Sequence, residues 1–442
     1  MIRSIRSHFP PRCFLRIFWH HAKAFVAALL YGFPARSLTV IGITGTDGKT
    51  TTVGMTAHIL RKAGMKVGAM STAFFSVGEN VTWNATQKTS PSPFIVQRFL
   101  RKLVKEGCTH AVLECSSHGL VQGRVSWTWP QVAAITNTSF EHLDYHGSME
   151  QYRRDKGILF AMLGGEGTKV LHREDATFPM LRHFLSKRTI VFATHAPDFF
   201  FDQEPIPEYV TLLWTNDVKE EASSVSATVH LNSEGIDHMK RLELSLAGSF
   251  NIENALCSIA CAHSIGVSVN DAIDALRDFQ GIPGRMERIV GPDPFSVYVD
   301  FTVTPVSYEA TLKSLRSLLS PHGRLLVLTG SCGDRMREKR PQIGKICAHY
   351  SDVIVVTNED PYTEDPERII DEVLSGIDAK HANVHRISDR KEAMKFILSL
   401  AKPGDIVALC GKGSDTTMMV GHGQIPWNER EIALDLLRDI PR

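Results

Sequence analysis

Residues 38–53, with the sequence LTVIGITGTDGKTTTV, have the types and spacing needed to bind a nucleotide phosphate. The apolar residues 38–43 predict a buried strand, glycines at 42, 45 and 48 predict a turn, and Lys49 with two threonines begins a helix. In such a turn the backbone N–H groups surround phosphate oxygens, the lysine contacts the β/γ-phosphates and a hydroxyl coordinates Mg²⁺. Ile43 stands where the common pattern has its first glycine, so this is a variant loop. A glycine-rich turn that binds nothing is the alternative interpretation.

Ionisable side chains follow other predicted strands. Glu114 ends the apolar run 111–113, where a carboxylate suits Mg²⁺ and could equally cap a helix. The polar run 135–147, ITNTSFEHLDYHG, follows another apolar strand and contains two histidines, which raises the probability of a binding site. Lys156 lies on the next predicted helix and, taken alone, reads as a solvated lysine.

Composition limits the class of partner. The 442 residues are enough for two or three domains, and 49 Lys and Arg nearly balance 48 Asp and Glu. This balance argues against nucleic acid and for a small-molecule partner. The eight cysteines form no C-x-x-C pair, so we expect a reducing, cytoplasmic setting and no structural zinc.

The order of predicted elements indicates an α/β protein. Strands and helices alternate from residue 39 to about 190, which predicts a mostly parallel sheet with helices on both faces. Residues 195–247 read as antiparallel strands, a helical pair follows, and a linker at 281–284 leads to a second α/β alternation. We therefore predict three parts: an N-terminal amphipathic helical segment (1–37), a central P-loop domain (38–283) and a C-terminal open α/β, Rossmann-like domain (284–442).

The N-terminal segment combines basic and apolar residues. Four arginines, at positions 3, 6, 12 and 16, precede the apolar run 24–31, which is too short to span a bilayer. We expect a basic amphipathic helix that packs on the next domain. A helix that lies on the inner membrane face is the alternative.

Taken together, the motifs resemble those of the Mur ligases. Among these, the chain is most similar to enzymes that add the third residue to UDP-N-acetylmuramoyl-L-alanyl-D-glutamate. The resemblance covers roughly residues 38 to 440. A chain of ordered motifs is more specific than any one of them. They are GITGTDGKTT, ECSSHGL, N-x₄-HLDYHG, Y-x₃-K-x₃-F, FN-x₂-NA, GR-x-ER, GDR-x₃-KRP and GKG.

The resemblance implies an ATP-dependent amide ligase of peptidoglycan precursor synthesis, and so a role in cell-wall biogenesis, cell shape and cell division. A substrate carboxylate attacks the γ-phosphate to give an acyl phosphate, which the amino group of an amino acid then captures. Positioning and charge neutralisation drive such phosphoryl transfer. We expect a cytoplasmic monomer that binds small molecules and no nucleic acid.

Site residues follow from the same resemblance, position by position. The implied catalytic residues are Lys49, Glu114, His142 and Lys156. Thr50 and Glu114 would hold one Mg²⁺, and His142 with a carbamylated Lys156 would serve a second. The implied ATP contacts are Gly45, Thr46, Asp47, Gly48, Lys49, Thr50, Thr51, Asn251, Asn254, Asp300, Arg335 and Lys339. The implied substrate contacts are Thr89, Ser90, Ser116, Gln122 and Arg124 for the muramoyl-peptide, and Asp360, Tyr362, Gly411 and Asp415 for the acceptor.

The sequence also departs from the family pattern. Only 37 residues precede the loop, where these enzymes have a uridine-binding domain of roughly a hundred residues. Lys88 replaces an asparagine, and Val303 an expected histidine. Tyr362 stands where diaminopimelate-adding enzymes have a carboxylate-binding arginine, which a phenol cannot replace. Because Asp360 and Asp415 would suit an ammonium, we predict a cationic acceptor such as lysine or ornithine.

Two other functions remain open at this point. A Mur-like ligase could act on another carboxylate, in folate polyglutamylation, cyanophycin or peptide natural-product synthesis. A nucleotide-binding scaffold without turnover is less consistent with the presence of Lys49, Glu114, His142 and Lys156.

Overall fold

A computed structural model describes residues 12–86, 88–196, 209–221, 223–233, 236–289, 295–378 and 383–439. Arg3, Arg6 and part of the predicted antiparallel region lie outside these residues. The described chain forms one large sheet, one smaller sheet and a two-stranded hairpin.

The large sheet has eleven strands and is parallel at its centre. Seven strands run parallel in the order β2-β5-β1-β6-β7-β8-β9, counted from one side of the sheet. Antiparallel strands extend both ends, through β9-β10-β11 on one side and β2-β3-β4 on the other. The strands are β1 (Thr39–Thr44), β2 (Val67–Met70), β3 (Phe74–Val77), β4 (Asn80–Trp83), β5 (His110–Glu114), β6 (Val132–Ile135), β7 (Thr168–His172), β8 (Arg188–Ala193), β9 (Val210–Glu221), β10 (Ser224–Ser233) and β11 (Ile236–Leu244). The predicted mostly parallel sheet is confirmed, whereas the β3–β4 hairpin was not predicted.

Helices cover both faces of this sheet, because side chains alternate between the faces along each strand. Ile41 and Ile43 belong to the core on one face, with α2, α8 and α9. Val40 and Leu113 belong to the core on the other, with α3 and α6. The helices are α1 (Phe14–Leu30), α2 (Lys49–Lys62), α3 (Pro93–Lys105), α4 (Ser117–Val121), α5 (Leu143–His146), α6 (Met149–Ala161), α7 (Phe178–Leu181), α8 (Phe250–His263) and α9 (Val269–Leu276), with a 3₁₀ turn at Pro34–Ser37.

The second sheet has six strands in the order β12-β13-β17-β14-β15-β16, and only β12 is antiparallel to its neighbour. Apolar cores again lie on both faces. The division predicted at residue 283 stays a prediction; β12 begins shortly after it. The elements are β12 (Glu287–Ile289), β13 (Ser296–Asp300), β14 (Leu325–Thr329), β15 (Val353–Val356), β16 (Val384–Arg386), β17 (Ile406–Cys410), β18 (Thr417–Val420), β19 (Gly423–Pro426), α10 (Pro305–Ser317), α11 (Lys339–Tyr350), α12 (Pro366–Leu374), α13 (Arg390–Leu400) and α14 (Glu429–Asp439).

Polar contacts join the two lobes of the chain, the first built on the eleven-stranded sheet and the second on the six-stranded sheet. Lys339 Nζ of the second lobe donates to Glu141 Oε1 of the first at 3.1 Å, and both side chains are buried. Nearby, Thr304 Oγ1 donates to Asp47 at 3.2 Å. Polar and charged groups therefore form part of the contact between the lobes, together with Ala247 and Phe250 of the first lobe, which pack with an apolar core of the second.

The N-terminal helix α1 packs on the body through small residues. Ala24, Ala27 and Ala28 are buried, and the helix lies against α3. Just before the helix, Arg12 donates two hydrogen bonds to the Asp155 carboxylate, at 2.5 and 3.0 Å. Within the described residues, no helix is long and apolar enough to cross a membrane.

The contact between the lobes gives the first prediction. Lys339→Met leaves the Glu141 carboxylate buried without its cation, so we expect the free energy of unfolding to fall by about 3 kcal/mol. The double variant Lys339→Met/Glu141→Gln removes the uncompensated charge and should recover most of that loss. Urea denaturation of the full chain measures both. Equal losses in the single and double variants would contradict the pairing.

The contact between Arg12 and Asp155 gives the second prediction. Charge-assisted bidentate pairs are among the stronger hydrogen bonds, so Arg12→Ala should lower stability by about 1–2 kcal/mol. It should also speed tryptic cleavage at Arg16 and Lys23, because α1 loses its N-terminal anchor. Arg101→Ala, at an exposed cation on α3, is the matched control and should change neither rate nor stability. Unchanged cleavage in Arg12→Ala would show that the alanine face alone fixes the helix.

Candidate active site

A cavity of about 440 Å³ lies where the two lobes meet. Its walls come from the loops at the carboxyl ends of strands in both sheets, the usual place for a ligand site in α/β folds. The first lobe contributes Lys49, Glu114 and His142, and the second contributes Asp300 and Arg335. The structure thus brings together residues as far apart in the sequence as Gly45 and Asp415.

The glycine-rich loop forms the floor of this cavity. Gly45 and Gly48 have φ angles of +148° and +78°, which L side chains rarely adopt. A Cβ on Gly45 would lie 1.9 Å from Thr136 Oγ1, and one on Gly48 would lie 2.1 Å from Asn254 Oδ1. Helix α2 begins at Lys49, whose Nζ donates to the Thr46 carbonyl at 2.6 Å. Glycine is therefore required twice for the loop to close over the start of α2.

Glu114 lies beside the loop at the end of β5. Its Oε2 accepts from Thr50 Oγ1 at 3.0 Å and from the Thr72 N–H at 2.7 Å, and its Oε1 accepts from Thr72 Oγ1 at 2.9 Å. Arg285 Nη2 lies 3.4 Å from the Thr50 hydroxyl. One hydroxyl and one carboxylate on the wall fit Mg²⁺, which takes few protein ligands and completes its shell with phosphates and water.

His142 and Lys156 occupy the next part of the wall. Lys156 Nζ donates to the Gly45 carbonyl at 2.5 Å and lies 4.2 Å from the centroid of the Tyr152 ring. Burial, and then the nearby Lys49 charge, lower the pKa of Lys156 well below its ordinary value. Burial likewise lowers the pKa of His142. Within the described residues, no carboxylate forms an ion pair with Lys156. The neighbour of His142, Glu141, has one buried carboxylate oxygen, Oε2, that finds no hydrogen-bond partner in the described part of the chain.

Residues predicted to contact the nucleotide surround the same space. Asn251 and Asn254 lie at the start of α8 and are joined by a hydrogen bond of 3.1 Å. Asp300 ends β13, and burial raises its pKa to about 6. Arg335 stacks on the ring of Tyr362, with 5.0 Å between the guanidinium carbon and the ring centroid. All twelve residues predicted to contact ATP line the cavity.

The predicted muramoyl-peptide residues divide into two groups. Thr89 and Ser116 line the cavity, and Ser90 lies behind them, accepting from the Ser116 N–H at 2.9 Å. Gln122 and Arg124 are not on the wall. Arg124 donates to the Ser90 carbonyl and to Gln122 Oε1, both at 2.7 Å. The side chains of Gln122 and Arg124 are therefore hydrogen-bonded to each other, and Arg124 is also bonded to the backbone.

The predicted acceptor residues stay a prediction; Asp360, Tyr362 and Asp415 line the cavity, and two of them pair with a lysine of the chain. Lys412 Nζ lies 2.9 Å from both carboxylate oxygens of Asp360 and 2.8 Å from Asp415 Oδ2. Burial opposes the charge of Lys412, yet the two carboxylates raise its pKa. The expected place for a substrate ammonium is therefore taken by an ammonium of the chain. Gly411 lies off the wall, where a Cβ would meet Glu359 Oε2 at 2.5 Å.

Sequence reasoning missed several wall residues. Glu141 stands next to His142 in the polar run, and Arg285 stands in the GR-x-ER motif, so both had a signal in the sequence. Thr72 had no signal in the sequence, because the short turn after β2 matches no motif. Lys412 was visible in the GKG motif, but its pairing with Asp360 depends on two loops that meet only in the folded chain.

Both halves of the chain match models of known protein families. Residues 43–262 match the model of the Mur ligase middle domain, and residues 284–413 match that of the Mur ligase glutamate ligase domain. A UDP-N-acetylmuramyl-tripeptide synthetase of Roseiflexus sp. (strain RS-1) is 35% identical, over 95% of this chain and 82% of that protein. A UDP-N-acetylmuramoyl-L-alanyl-D-glutamate--2,6-diaminopimelate ligase of Geobacillus kaustophilus (strain HTA426) is 33% identical, over 93% of this chain and 81% of that protein.

A solved structure gives the same result for the fold. That structure, of a UDP-N-acetylmuramoyl-L-alanyl-D-glutamate--2,6-diaminopimelate ligase, superposes with a TM-score of 0.59 at 27% identity, covering 91% of this chain and 78% of that chain. The resemblance seen in the sequence motifs is confirmed. The family models cover most of the chain and the relatives cover nearly all of it, so the chain belongs to the Mur ligase family of ATP-dependent ligases.

Proposed function

We propose that this chain joins the carboxylate of UDP-N-acetylmuramoyl-L-alanyl-D-glutamate to the amino group of an amino acid, at the expense of ATP, in peptidoglycan precursor synthesis. One observation supports it above others: Lys49, Thr50, Glu114, His142 and Lys156 all line one cavity. The names of the relatives support the choice of carboxylate substrate.

In the proposed reaction the substrate carboxylate attacks the γ-phosphorus, giving an acyl phosphate and ADP. The amino nitrogen of the acceptor then attacks the acyl carbon, and phosphate leaves. Lys49 and the start of α2 neutralise the phosphate charge, which is the main requirement of phosphoryl transfer. Mg²⁺ held by Thr50 and Glu114 would supply further charge neutralisation.

Carbamylation of Lys156 is part of the proposal. An uncharged amine reacts with CO₂ to form an N–C bond and release a proton, which converts the amine to an anionic carbamate. The position of Lys156 supports this, because its Nζ is buried beside the phosphate loop and, among the residues that the structure describes, forms no ion pair with a carboxylate. With His142, the carbamate would hold the second Mg²⁺.

The proposal also covers the cellular compartment, the oligomeric state and the acceptor amino acid. All eight cysteines are free, which is consistent with a reducing cytoplasm. A monomer as the catalytic unit is part of the same proposal. The acceptor preference for lysine or ornithine now depends on Tyr362 alone, because Lys412 already pairs with Asp360 and Asp415.

The experiment that tests this function measures ADP release with ATP, Mg²⁺ and UDP-N-acetylmuramoyl-L-alanyl-D-glutamate across lysine, ornithine and meso-diaminopimelate. Lys49→Ala should lower turnover by at least ~10²- to 10³-fold, because the β/γ-phosphates lose a preorganised cation. Lys187→Ala, at an exposed lysine, should retain full turnover.

Each outcome of that assay has a meaning. Turnover that needs one acceptor supports the proposal, and a preference for diaminopimelate would overturn the lysine or ornithine prediction. No turnover with any acceptor would overturn the proposed carboxylate substrate.

Lys156 provides a separate test of the carbamate. Lys156→Ala should lose roughly 10²-fold or more in turnover and regain part of it with added acetate or formate, which restore a carboxylate next to the loop. Lys156→Arg keeps a cation that cannot be carbamylated, so it should stay inactive with or without these acids. Full activity of Lys156→Arg would refute the carbamate.

A further inference from the structure

Helix α1 buries small apolar residues and exposes large ones, which is the opposite of the usual pattern. Its buried face consists of alanines, whereas the large side chains point to solvent. A surface helix of a globular protein normally buries its large apolar residues and exposes its polar ones. The six most exposed are Phe14 (80%), Leu30 (69%), Leu15 (63%), Phe18 (62%), Leu29 (59%) and Trp19 (55%). A patch of this kind marks a binding surface.

Cationic residues outnumber acidic ones in the stretches of sequence that include this helix and the helix it packs on. Residues 1–46 contain six Lys and Arg and no Asp or Glu. Helix α3, on which α1 packs, exposes Arg98, Arg101, Lys102 and Lys105. These two segments hold ten of the 49 cationic residues of the chain and none of its 48 acidic ones. The rest of the chain therefore carries a net negative charge.

We propose that α1 docks on an anionic lipid bilayer, lying in the plane of the interface with its apolar face among the acyl chains. Seventeen residues make a helix about 25 Å long, enough to lie along the surface with every exposed apolar side chain inserted. In this proposal the exposed cations on the neighbouring helix α3 attract the anionic lipid headgroups. Aromatic residues suit this depth, because their rings favour the headgroup boundary.

Charge favours a bilayer over a second copy of the chain. A two-fold contact through α1 would bring the cationic segments of both copies together, and like charges at an interface repel. An anionic bilayer neutralises the same cations, and each Lys or Arg near such a surface gains up to about 1 kcal/mol. The proposal is independent of the ligase reaction.

The test uses the full chain and flotation with vesicles of phosphatidylcholine alone or mixed with phosphatidylglycerol. We expect binding to the anionic vesicles that weakens as salt is raised. The variant Phe18→Glu/Leu29→Glu should bind at least ~10-fold more weakly, because it places two charges in the apolar face. Arg101→Glu/Lys102→Glu should lose binding to anionic vesicles. Leu185→Glu, at a leucine that is 81% exposed elsewhere, is the matched control and should bind as the parent does.

The alternatives have distinct results. Sedimentation velocity without vesicles reports a self-interface: a dimer that Phe18→Glu/Leu29→Glu converts to a monomer would overturn the proposal. Absence of binding to anionic vesicles, or equal binding by that variant and the parent chain, would also overturn it. Far-UV circular dichroism and the melting temperature establish that each variant is folded, so a loss of binding reports on the surface.

Discussion

The parallel pairing of β1 with both β5 and β6 is the constraint on which the site depends. In this register Ile43 lies opposite Glu114 and Thr44 lies opposite Ile135. Three chain segments therefore leave the sheet at one edge: the glycine-rich loop, the loop after Glu114 and the polar run that contains His142. Because strand side chains alternate, a slip of one residue would turn Glu114 to the other face and remove it from the cavity.

The cavity also stores electrostatic free energy. Burial lowers the pKa of Lys49, Lys156 and Arg285, and it raises the pKa of Glu141 and Asp300. Charged groups of both signs are thus held where their ionised forms are costly. A ligand that brings phosphates and a divalent cation supplies counter-charges to both sets. The empty protein therefore favours such a ligand before any base or sugar is recognised.

Local patterns were enough to predict most of the fold. An apolar run located the strand that ends at Glu114, and glycines located the loop, because these signals are local. The β3–β4 hairpin was missed because its four-residue strands are short and one of them is fully exposed. The reversed face of α1 was missed because composition indicates an amphipathic helix without indicating which side is covered. The pairing of Lys412 with Asp360 joins residues 52 positions apart, so no local pattern contains it.

The buried pair between Glu141 and Lys339 bears on how firmly the two lobes are held together. Removing two charges from water costs about as much as their attraction returns, so such a pair specifies a geometry more than it stabilises it. When the lobes separate, both groups regain their hydration shells, which offsets the lost contact. This contact thus defines how the lobes are arranged without making that arrangement a deep free-energy minimum.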